Sequence, residues 1–329
     1  MSTVETTADT ASLRAGRAGR RGDAVFRGLT LAAGALVFVV LGAIAIFLVI
    51  KAIPSLRADT TSFWTTKTWS AAVGEASFGI AALLFGTVIT SVLALVMAVP
   101  IGVGVAIYTT EYAPRRIATV LGYLTDMLAA VPSIVYGLWG LYLLLPHLTG
   151  LQVFLARYLG WIPLFSDPDG HAALFSKSIF GASIVLAIMI LPIIAAVSRE
   201  VLRQVDPAHK EAALALGATR WEMVRVAVLP PSRPGIISAT MLGLGRALGE
   251  TIAVALVIGD FFTINWHVLA PSGNTIAANI ANLFGDADSI GRSALIASGL
   301  VLFVLTLAVN LAARYIILRS GTEERSAVG

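Results

Sequence analysis

Six long apolar segments recur along the chain, separated by shorter stretches that are rich in polar and charged residues. Each reaches or exceeds the roughly 20 residues that a helix needs to cross about 30 Å of hydrocarbon at 1.5 Å per residue. The pattern predicts six membrane-spanning helices, placed at residues 28–50, 79–107, 117–145, 178–198, 235–259 and 293–317. We therefore predict an all-α, polytopic membrane protein.

Composition agrees with that class. Hydrophobic residues make up 57% of the 329 residues and charged residues only 13%, whereas about 25% is ordinary for a soluble domain. The chain has no cysteine, which excludes disulfides, thiolate metal sites and thiol nucleophiles.

The N-terminal tail, residues 1–27, is basic, and its composition predicts disorder. It carries Arg14, Arg17, Arg20, Arg21 and Arg27. A signal peptide can begin in this way, but the apolar run that follows is too long and lacks a small-residue cleavage site. We expect the first span to stay attached as an anchor of a membrane domain at 28–317, with a second cytoplasmic tail at 318–329.

The distribution of positive charge predicts the orientation. Most of the 23 lysines and arginines lie in the two tails and in the connections 110–116 and 199–234. Because basic connections stay in the cytoplasm, we expect both termini and these two loops to be cytoplasmic. Four tryptophans fall in the opposite connections, as interfacial anchors would: Trp64, Trp69, Trp161 and Trp266.

The 199–234 connection has the chemistry of ordered helices rather than of a linker. Asp206 can cap free backbone N–H groups, and Pro207 suits the first helical turn because it has no N–H to lose there. The stretch "PAHKEAALAL" favours helix, and Gly217 supplies a left-handed position that ends it.

A second helix follows in the same connection. Thr219 and Glu222 form a T-x-x-E capping box, and we expect the helix to run through "RWEMVRVAVL" until Pro230 and Pro231 stop it. By itself, such an amphipathic pair could lie among lipid headgroups or dock on a partner protein.

The sequence "EAALALGATRWEMVRVAVLP", residues 211–230, resembles the EAA loop of the membrane subunits of bacterial ABC importers. The matching residues are Glu211, Ala212, Ala213, Gly217, Leu229 and Pro230, and Ala227 stands where isoleucine is usual. The resemblance implies that this loop is the coupling helix that docks on an ATPase subunit.

Two charges interrupt the fifth span in "GLGRALGETIAV", residues 243–254. A charge at mid-depth costs roughly 2.5–3.5 kcal/mol on insertion scales and usually faces a partner or a pathway. Arg246 and Glu250 are four residues apart, which places them on one face of a helix, and small residues beside them favour close helix packing.

Three interpretations of these charges are open. The first is an ion pair that only fixes helix packing. The second is a proton relay through Glu250 and Asp126, the latter in the third span. The third is an anion site, in which the Arg246 guanidinium binds phosphate or carboxylate and Glu250 orients it.

Two prolines fit a gated path through the membrane. Pro100 and Pro132 are expected to interrupt the second and third spans, and a freed carbonyl is tolerated where it lines a cavity.

"LGRALGETIAV", together with "DMLAAVPSIVYGLWGL" at residues 126–141, is similar to the PstC family of phosphate-importer permeases. The resemblance favours the anion site and implies that Arg246 and Glu250 take part in phosphate translocation. It further implies a type I ABC importer (MetI-like) fold and three partners: a second, PstA-like permease, a PstB-like ATPase dimer and an external PstS-like phosphate-binding protein. The chain itself would bind no cofactor, since ATP and Mg²⁺ belong to the ATPase.

Other function classes have less support. No G-x-x-x-x-G-K-[ST] stretch for ATP phosphates occurs, and the four histidines are scattered without metal-ligand spacing. We expect no enzyme chemistry and no nucleic-acid partner. The alternatives are an ion-coupled secondary carrier that uses Glu250 and Asp126, or an ABC permease for another small anion.

Overall fold

A computed structural model of the chain describes residues 9–59, 62–70, 77–167, 170 and 177–326. The described residues are mostly helical and fall into two compact units, which meet in sequence between Lys51 and Ala52. The described part of the first unit is a single helical segment, and the remaining elements belong to the second unit.

The elements are numbered in chain order. The α-helices are α1 (Asp9–Ala58), α2 (Ala81–Ile107), α3 (Arg115–Ala129), α4 (Ser133–Trp139), α5 (Leu145–Leu159), α6 (Ile179–Arg203), α7 (Pro207–Ala215), α8 (Arg220–Met223), α9 (Leu229–Leu248), α10 (Ile252–Val257), α11 (Ile276–Leu283) and α12 (Ser289–Ser326). Two short strands, β1 (Trp69–Ser70) and β2 (Ser77–Phe78), pair antiparallel. Among the described residues, three π-helical segments extend or join helices: Tyr108–Tyr112, Gly140–Leu144 and Val224–Val228.

Five helical stretches in the described residues are long and apolar enough to cross a membrane. They are Asp23–Ala58, Ala81–Tyr112, Ser133–Leu159, Ile179–Arg203 and Ser289–Tyr315. Four of them overlap the first, second, fourth and sixth predicted spans. The third and fifth predicted spans both contain a break in the helix.

The third predicted span is divided where the sequence suggested. Between α3 and α4 the backbone leaves the helix, and Pro132 adopts an extended conformation with φ −58° and ψ 139°. Beyond the break the helix continues past the predicted end at 145 as far as Leu159. The expected interruption at Pro100 is wrong, because α2 runs through that proline without a break.

The predicted disorder of the N-terminal tail also differs from the structure. Helix α1 already begins at Asp9, in a stretch whose alanines and arginines are good helix formers. Residues 1–8 lie outside the described residues. At the other end α12 continues into the predicted tail as far as Ser326.

The core of the second unit forms where α6 packs against α2 on one side and α9 on another. Small residues permit this approach: a Cβ at Gly102 of α2 would lie 3.1 Å from Ile194 Cγ2, and one at Gly243 of α9 would lie 2.9 Å from Ile194 Cδ1. Fully buried aliphatic side chains of α6 complete the packing: Leu186, Met189, Ile190 and Ile194. Close packing of this kind holds helices together where lipid removes the hydrophobic driving force.

Helix α6 is anchored at its first turn. The Ser178 hydroxyl accepts a hydrogen bond from the Gly181 N–H at 3.1 Å and another from Gln152 Nε2 at 2.9 Å. Near this end of the bundle, the indole of Trp69 stacks on Phe262 and meets the edge of Phe78. Trp64, Trp161 and Trp266 are exposed, as interfacial anchors would be.

Candidate functional site

The fifth predicted span is a broken helix. Helix α9 ends at Leu248, Gly249 and Glu250 lie outside the helical conformation, and α10 begins at Ile252. Because Gly243 packs against Ile190 and Ile194, Arg246, one turn further along, lies beside the middle of α6. The depth of Arg246 within a membrane span stays a prediction.

Glu250 caps the second half of this broken helix. The residue is 9% exposed, and its Oε1 accepts a hydrogen bond from the Ala253 N–H at 3.1 Å. A side-chain oxygen that accepts from the free N–H groups of a first turn stabilises the start of a helix. The break and the restart of the helix are thus both built around the Gly249–Glu250 pair.

The predicted partnership of Arg246 and Glu250 is wrong. Within the described chain the Arg246 guanidinium forms no salt bridge with a carboxylate, and the Glu250 carboxylate is used as the cap. The four-residue spacing places two side chains on one face only if the helix continues between them, and α9 ends after Leu248. The structure therefore contradicts two of the interpretations of these charges: an ion pair between Arg246 and Glu250 that fixes helix packing, and a Glu250 carboxylate that orients the guanidinium.

Arg246 instead faces an open cleft between α6, α9 and α12. The cleft has a volume of about 510 Å³ and is lined by Arg246 together with Ile193, Ser238, Met241, Leu242, Gly245 and Asn310. The guanidinium is exposed within it. The Tyr136 phenol of α4, whose hydroxyl donates to Leu128 O at 2.8 Å, lies within electrostatic range of this charge. An arginine placed in this way offers its N–H donors to an anion that enters the cleft.

Two polar residues of the cleft were missed by the sequence analysis. The Ser238 hydroxyl donates to Pro234 O at 2.9 Å, and the Asn310 amide has no hydrogen-bond partner in the part of the chain that the structure describes. Asn310 interrupts the apolar run "LAVNLAARY" of the last span, and that interruption was the available signal. Both side chains add uncharged hydrogen-bonding groups to the wall that carries Arg246.

Asp126 does not join Arg246 and Glu250. It lies on α3, and its Oδ1 accepts from Arg199 Nη2 of α6 at 2.8 Å, with the Asp126 side chain 53% exposed. Asp126 lines a second, smaller cleft of about 260 Å³ that also contains Arg199 and Arg203. The expected relay through Glu250 and Asp126 is therefore contradicted, since Arg199, 73 positions away, holds Asp126 in another place.

The 199–234 connection folds largely as predicted. Asp206 Oδ1 accepts from the Ala208 N–H at 2.9 Å and caps α7, and Gly217 has the positive φ, 88°, that ends it. Thr219 and Glu222 form the reciprocal capping box. Hydrogen bonds from the backbone N–H and the hydroxyl of Thr219 hold the pKa of Glu222 below its ordinary value.

The prediction that Pro230 and Pro231 end the second loop helix is wrong. The chain stays helical from Arg220 to Leu248, through α8, the π-helical segment and α9. A proline leaves the carbonyl four residues before it without its N–H partner and crowds it, and a π-helical turn can absorb both effects. The π-helical segment Val224–Val228 directly precedes these prolines, so the loop and the helix that carries Arg246 are one continuous element.

The motif residues of the loop divide between its surface and its interior. Glu211, Ala212 and Gly217 are exposed, whereas Ala213 and Leu229 pack against a buried apolar cluster. That cluster consists of Ala106, Leu202, Val205, Met223, Val224 and Val228. The exposed side of the loop also carries apolar side chains: Leu216 is 90% exposed and Trp221 57% exposed.

An ion pair that the sequence did not reveal joins this loop to α2. Lys210 Nζ of α7 lies 2.6 Å from Glu111 Oε1, which belongs to the π-helical extension of α2. The Lys210 side chain is 21% exposed and that of Glu111 6% exposed.

The chain is similar to proteins of known name. Residues 98–320 match the family described as "Binding-protein-dependent transport system inner membrane component". The chain is 45% identical over 303 residues to the phosphate transport system permease protein PstC 2 of Mycobacterium tuberculosis, covering 91% of this chain and 93% of that protein. It is 41% identical over 303 residues to the phosphate transport system permease protein PstC of Mesorhizobium japonicum, covering 90% of each chain.

A solved structure shares the fold. The crystal structure of a bacterial ABC transporter involved in the import of the acidic polysaccharide alginate contains a chain that matches with a TM-score of 0.52 at 20% identity, covering 90% of this chain and 99% of that one. At this identity the likeness concerns the fold alone.

Proposed function

The chain belongs to the family of binding-protein-dependent transport system inner membrane components, and we propose on that premise that it is the permease subunit that carries inorganic phosphate inward in an ATP-driven importer. It is an inner-membrane protein with several apolar spanning helices. The observation that carries the assignment of its site is the exposed Arg246 guanidinium, which lies in the last turn of α9 beside the break and faces a cleft of about 510 Å³.

The chemistry of the cleft suits a small tetrahedral anion. The guanidinium supplies a positive charge and a planar fork of donors that matches phosphate oxygens. Ser238 and Asn310 add uncharged groups, and the remaining lining is apolar. Binding by one arginine and neutral neighbours is weak enough to permit release, as conduction requires.

Glu250 has a structural part in this site. By capping α10 it fixes where the helix restarts, and so it holds the break that leaves Arg246 at the last turn of α9. Glu250 therefore shapes the site without touching the guanidinium.

The cytoplasmic loop is the proposed docking surface for an ATPase dimer, which binds ATP and Mg²⁺. The exposed Leu216 and Trp221 support this, because apolar side chains on a loop outside the membrane gain from burial against a partner. A second permease subunit would complete the path, and an external phosphate-binding protein would deliver the anion. This arrangement requires both termini to be cytoplasmic, in agreement with the charge distribution.

The continuous helix suggests how the two sites communicate. When ATP binding closes the ATPase pair, the docked loops move toward each other. Since α8, the π-helical segment and α9 form one helical run, the displacement reaches Arg246 without an intervening flexible connection. Movement of α9 against α6 would then open the cleft alternately to the two sides.

The test is radiolabelled phosphate uptake by the complete importer in proteoliposomes. Arg246→Gln should abolish phosphate uptake and leave assembly with the ATPase intact, because it removes the charge at a site remote from the loop. Arg292→Gln, which changes an exposed arginine at the start of α12, is the matched control and should transport normally.

Three results would contradict the proposal. Normal uptake by the Arg246→Gln complex would exclude the anion site. Uptake that survives ATP depletion but collapses with an uncoupler would favour an ion-coupled carrier. Competition by sulfate as effective as competition by unlabelled phosphate would assign the permease to another anion.

A further inference from the structure

The salt bridge between Lys210 and Glu111 connects two elements that are far apart in the sequence, 99 positions from each other. One end is on α7, the first helix of the cytoplasmic loop, and the other is on the π-helical extension of α2. The separation of 2.6 Å between Lys210 Nζ and Glu111 Oε1 is a direct hydrogen-bonded contact.

The pair is held in a protected place. The Glu111 side chain is only 6% exposed and that of Lys210 21% exposed. Many ion pairs on the solvent-exposed surface make no measurable contribution to stability, but this pair is largely shielded from water. If one partner of such a pair moves away, the other is left as an uncompensated charge with little access to water. Breaking the contact when α7 moves would therefore carry a free-energy cost that is avoided if Glu111 moves with Lys210.

Glu111 is connected to the core of the membrane domain through α2. Beyond Glu111, α2 packs along α6, and Ile194 of α6 meets both Gly102 of α2 and Gly243 of α9. The loop is thus joined to the membrane domain in three ways: by the continuous helix that leads to Arg246, by the ion pair that leads to α2, and by the buried apolar cluster that includes Ala106 of α2 and Leu202 of α6.

We propose that Lys210 and Glu111 are positioning residues for energy coupling: their ion pair makes α2 follow the loop, so that α2 and α9 move together against α6. The inference rests on the proposed function, because it assigns a role to the loop that an ATPase moves. The apolar cluster beneath the loop provides adhesion, but apolar contacts are non-directional. The ion pair adds a fixed point of attachment.

The experiment measures phosphate uptake and ATP hydrolysis in the same proteoliposomes, for the complete importer. Lys210→Gln should assemble with the ATPase but lower the ratio of phosphate transported to ATP hydrolysed by about fivefold or more, the lower range of typical coupling between sites. Lys210→Arg keeps the charge and should restore the ratio. Lys177→Gln, at an exposed lysine beside the first turn of α6, is the control and should leave it unchanged.

A charge exchange makes the test independent of any folding defect in the single variant. The double variant Lys210→Glu with Glu111→Lys restores an ion pair of opposite sense, and it should assemble with the ATPase and recover the transport ratio. A double variant that stays uncoupled overturns the proposal. So does a Lys210→Gln complex that melts at a lower temperature but transports with the normal ratio, because that result assigns the pair to stability alone.

Failure of the proposed function gives a different result. If the unaltered complex takes up no phosphate, the assignment of the substrate fails. If the unaltered complex transports phosphate and Lys210→Gln transports it with the same ratio, only the coupling role of the ion pair fails.

Discussion

Ser178 offers a quantitative test of how the central helix is anchored. Its hydroxyl is fully buried and accepts two hydrogen bonds, one from the Gly181 N–H and one from Gln152 Nε2. Ser178→Ala removes the cap of α6 and the acceptor of the Gln152 amide. Gln152 Oε1 already lacks a partner among the described residues, so the variant leaves the whole buried amide without one.

The expected cost follows from these two losses. Replacing a serine cap by alanine costs about 1 kcal/mol, and stranding a buried amide costs about 1–3 kcal/mol. The total is about 2–4 kcal/mol. The unfolding entropy is about 2.1 cal/mol/K per residue, so for a chain of 329 residues each kcal/mol shifts the melting temperature by about 1.4 °C. We therefore expect the melting temperature to fall by about 3–6 °C.

The assay is thermal unfolding of the purified chain in detergent, followed by tryptophan fluorescence. Ser183→Ala is the matched control: Ser183 is equally buried in α6, but its hydroxyl donates only to Ile179 O of its own helix, so its removal strands no donor. If Ser178→Ala and Ser183→Ala lower the melting temperature equally, the reasoning about the anchor is refuted.

Two further predictions concern the cytoplasmic loop. Gly217→Val should uncouple ATP hydrolysis from transport or prevent docking, because a β-branched residue is strained at the φ of 88° found there; co-purification of the variant with a fully coupled ATPase would count against this. Since Thr219 holds the pKa of Glu222 below its ordinary value of 4.5, the capping box should be intact above that pH and be lost as pH falls through the lowered pKa. Hydrogen exchange at the start of α8, corrected for the intrinsic rate, should show the loss, and Glu222→Gln should abolish this pH dependence.

The sequence predicted the helices better than it predicted where they end. Proline is expected to end a helix, yet α2 continues through Pro100, and the helical segment from Arg220 to Leu248 continues through Pro230 and Pro231. The break that does occur in the fifth span is at Gly249, within an apolar run of helical appearance. It is stabilised by a cap from Glu250 and by the close approach of Gly137 to Ala253, and neither contact can be read from spacing.

In the candidate site, too, features set by the local sequence were easier to predict than features set by tertiary packing. Hydropathy alone predicted Arg246 at mid-depth, because predicted depth depends only on position within an apolar segment, and the structure places Arg246 beside the middle of α6. The partners of the charges depended on tertiary packing. Asp126 is held by Arg199, which is distant in the sequence, and the spacing of Arg246 and Glu250 had meaning only for an unbroken helix. The loop was predicted well because its caps and its glycine turn are local.

The unbroken helical run from Arg220 to Leu248 ties the direction of the guanidinium to the number of residues before it. Each residue of an α-helix turns the chain by about 100°, so one insertion or deletion between the loop surface and Arg246 would rotate the two ends relative to each other. Arg246 could then no longer face its cleft while the loop kept its own contacts. The π-helical segment Val224–Val228, which widens one turn of this run, contributes to that angle. The number of residues in this stretch is therefore constrained by the direction in which Arg246 must point. Insertions or deletions of three or four residues, which make up about one helical turn, should be better tolerated than those of one or two.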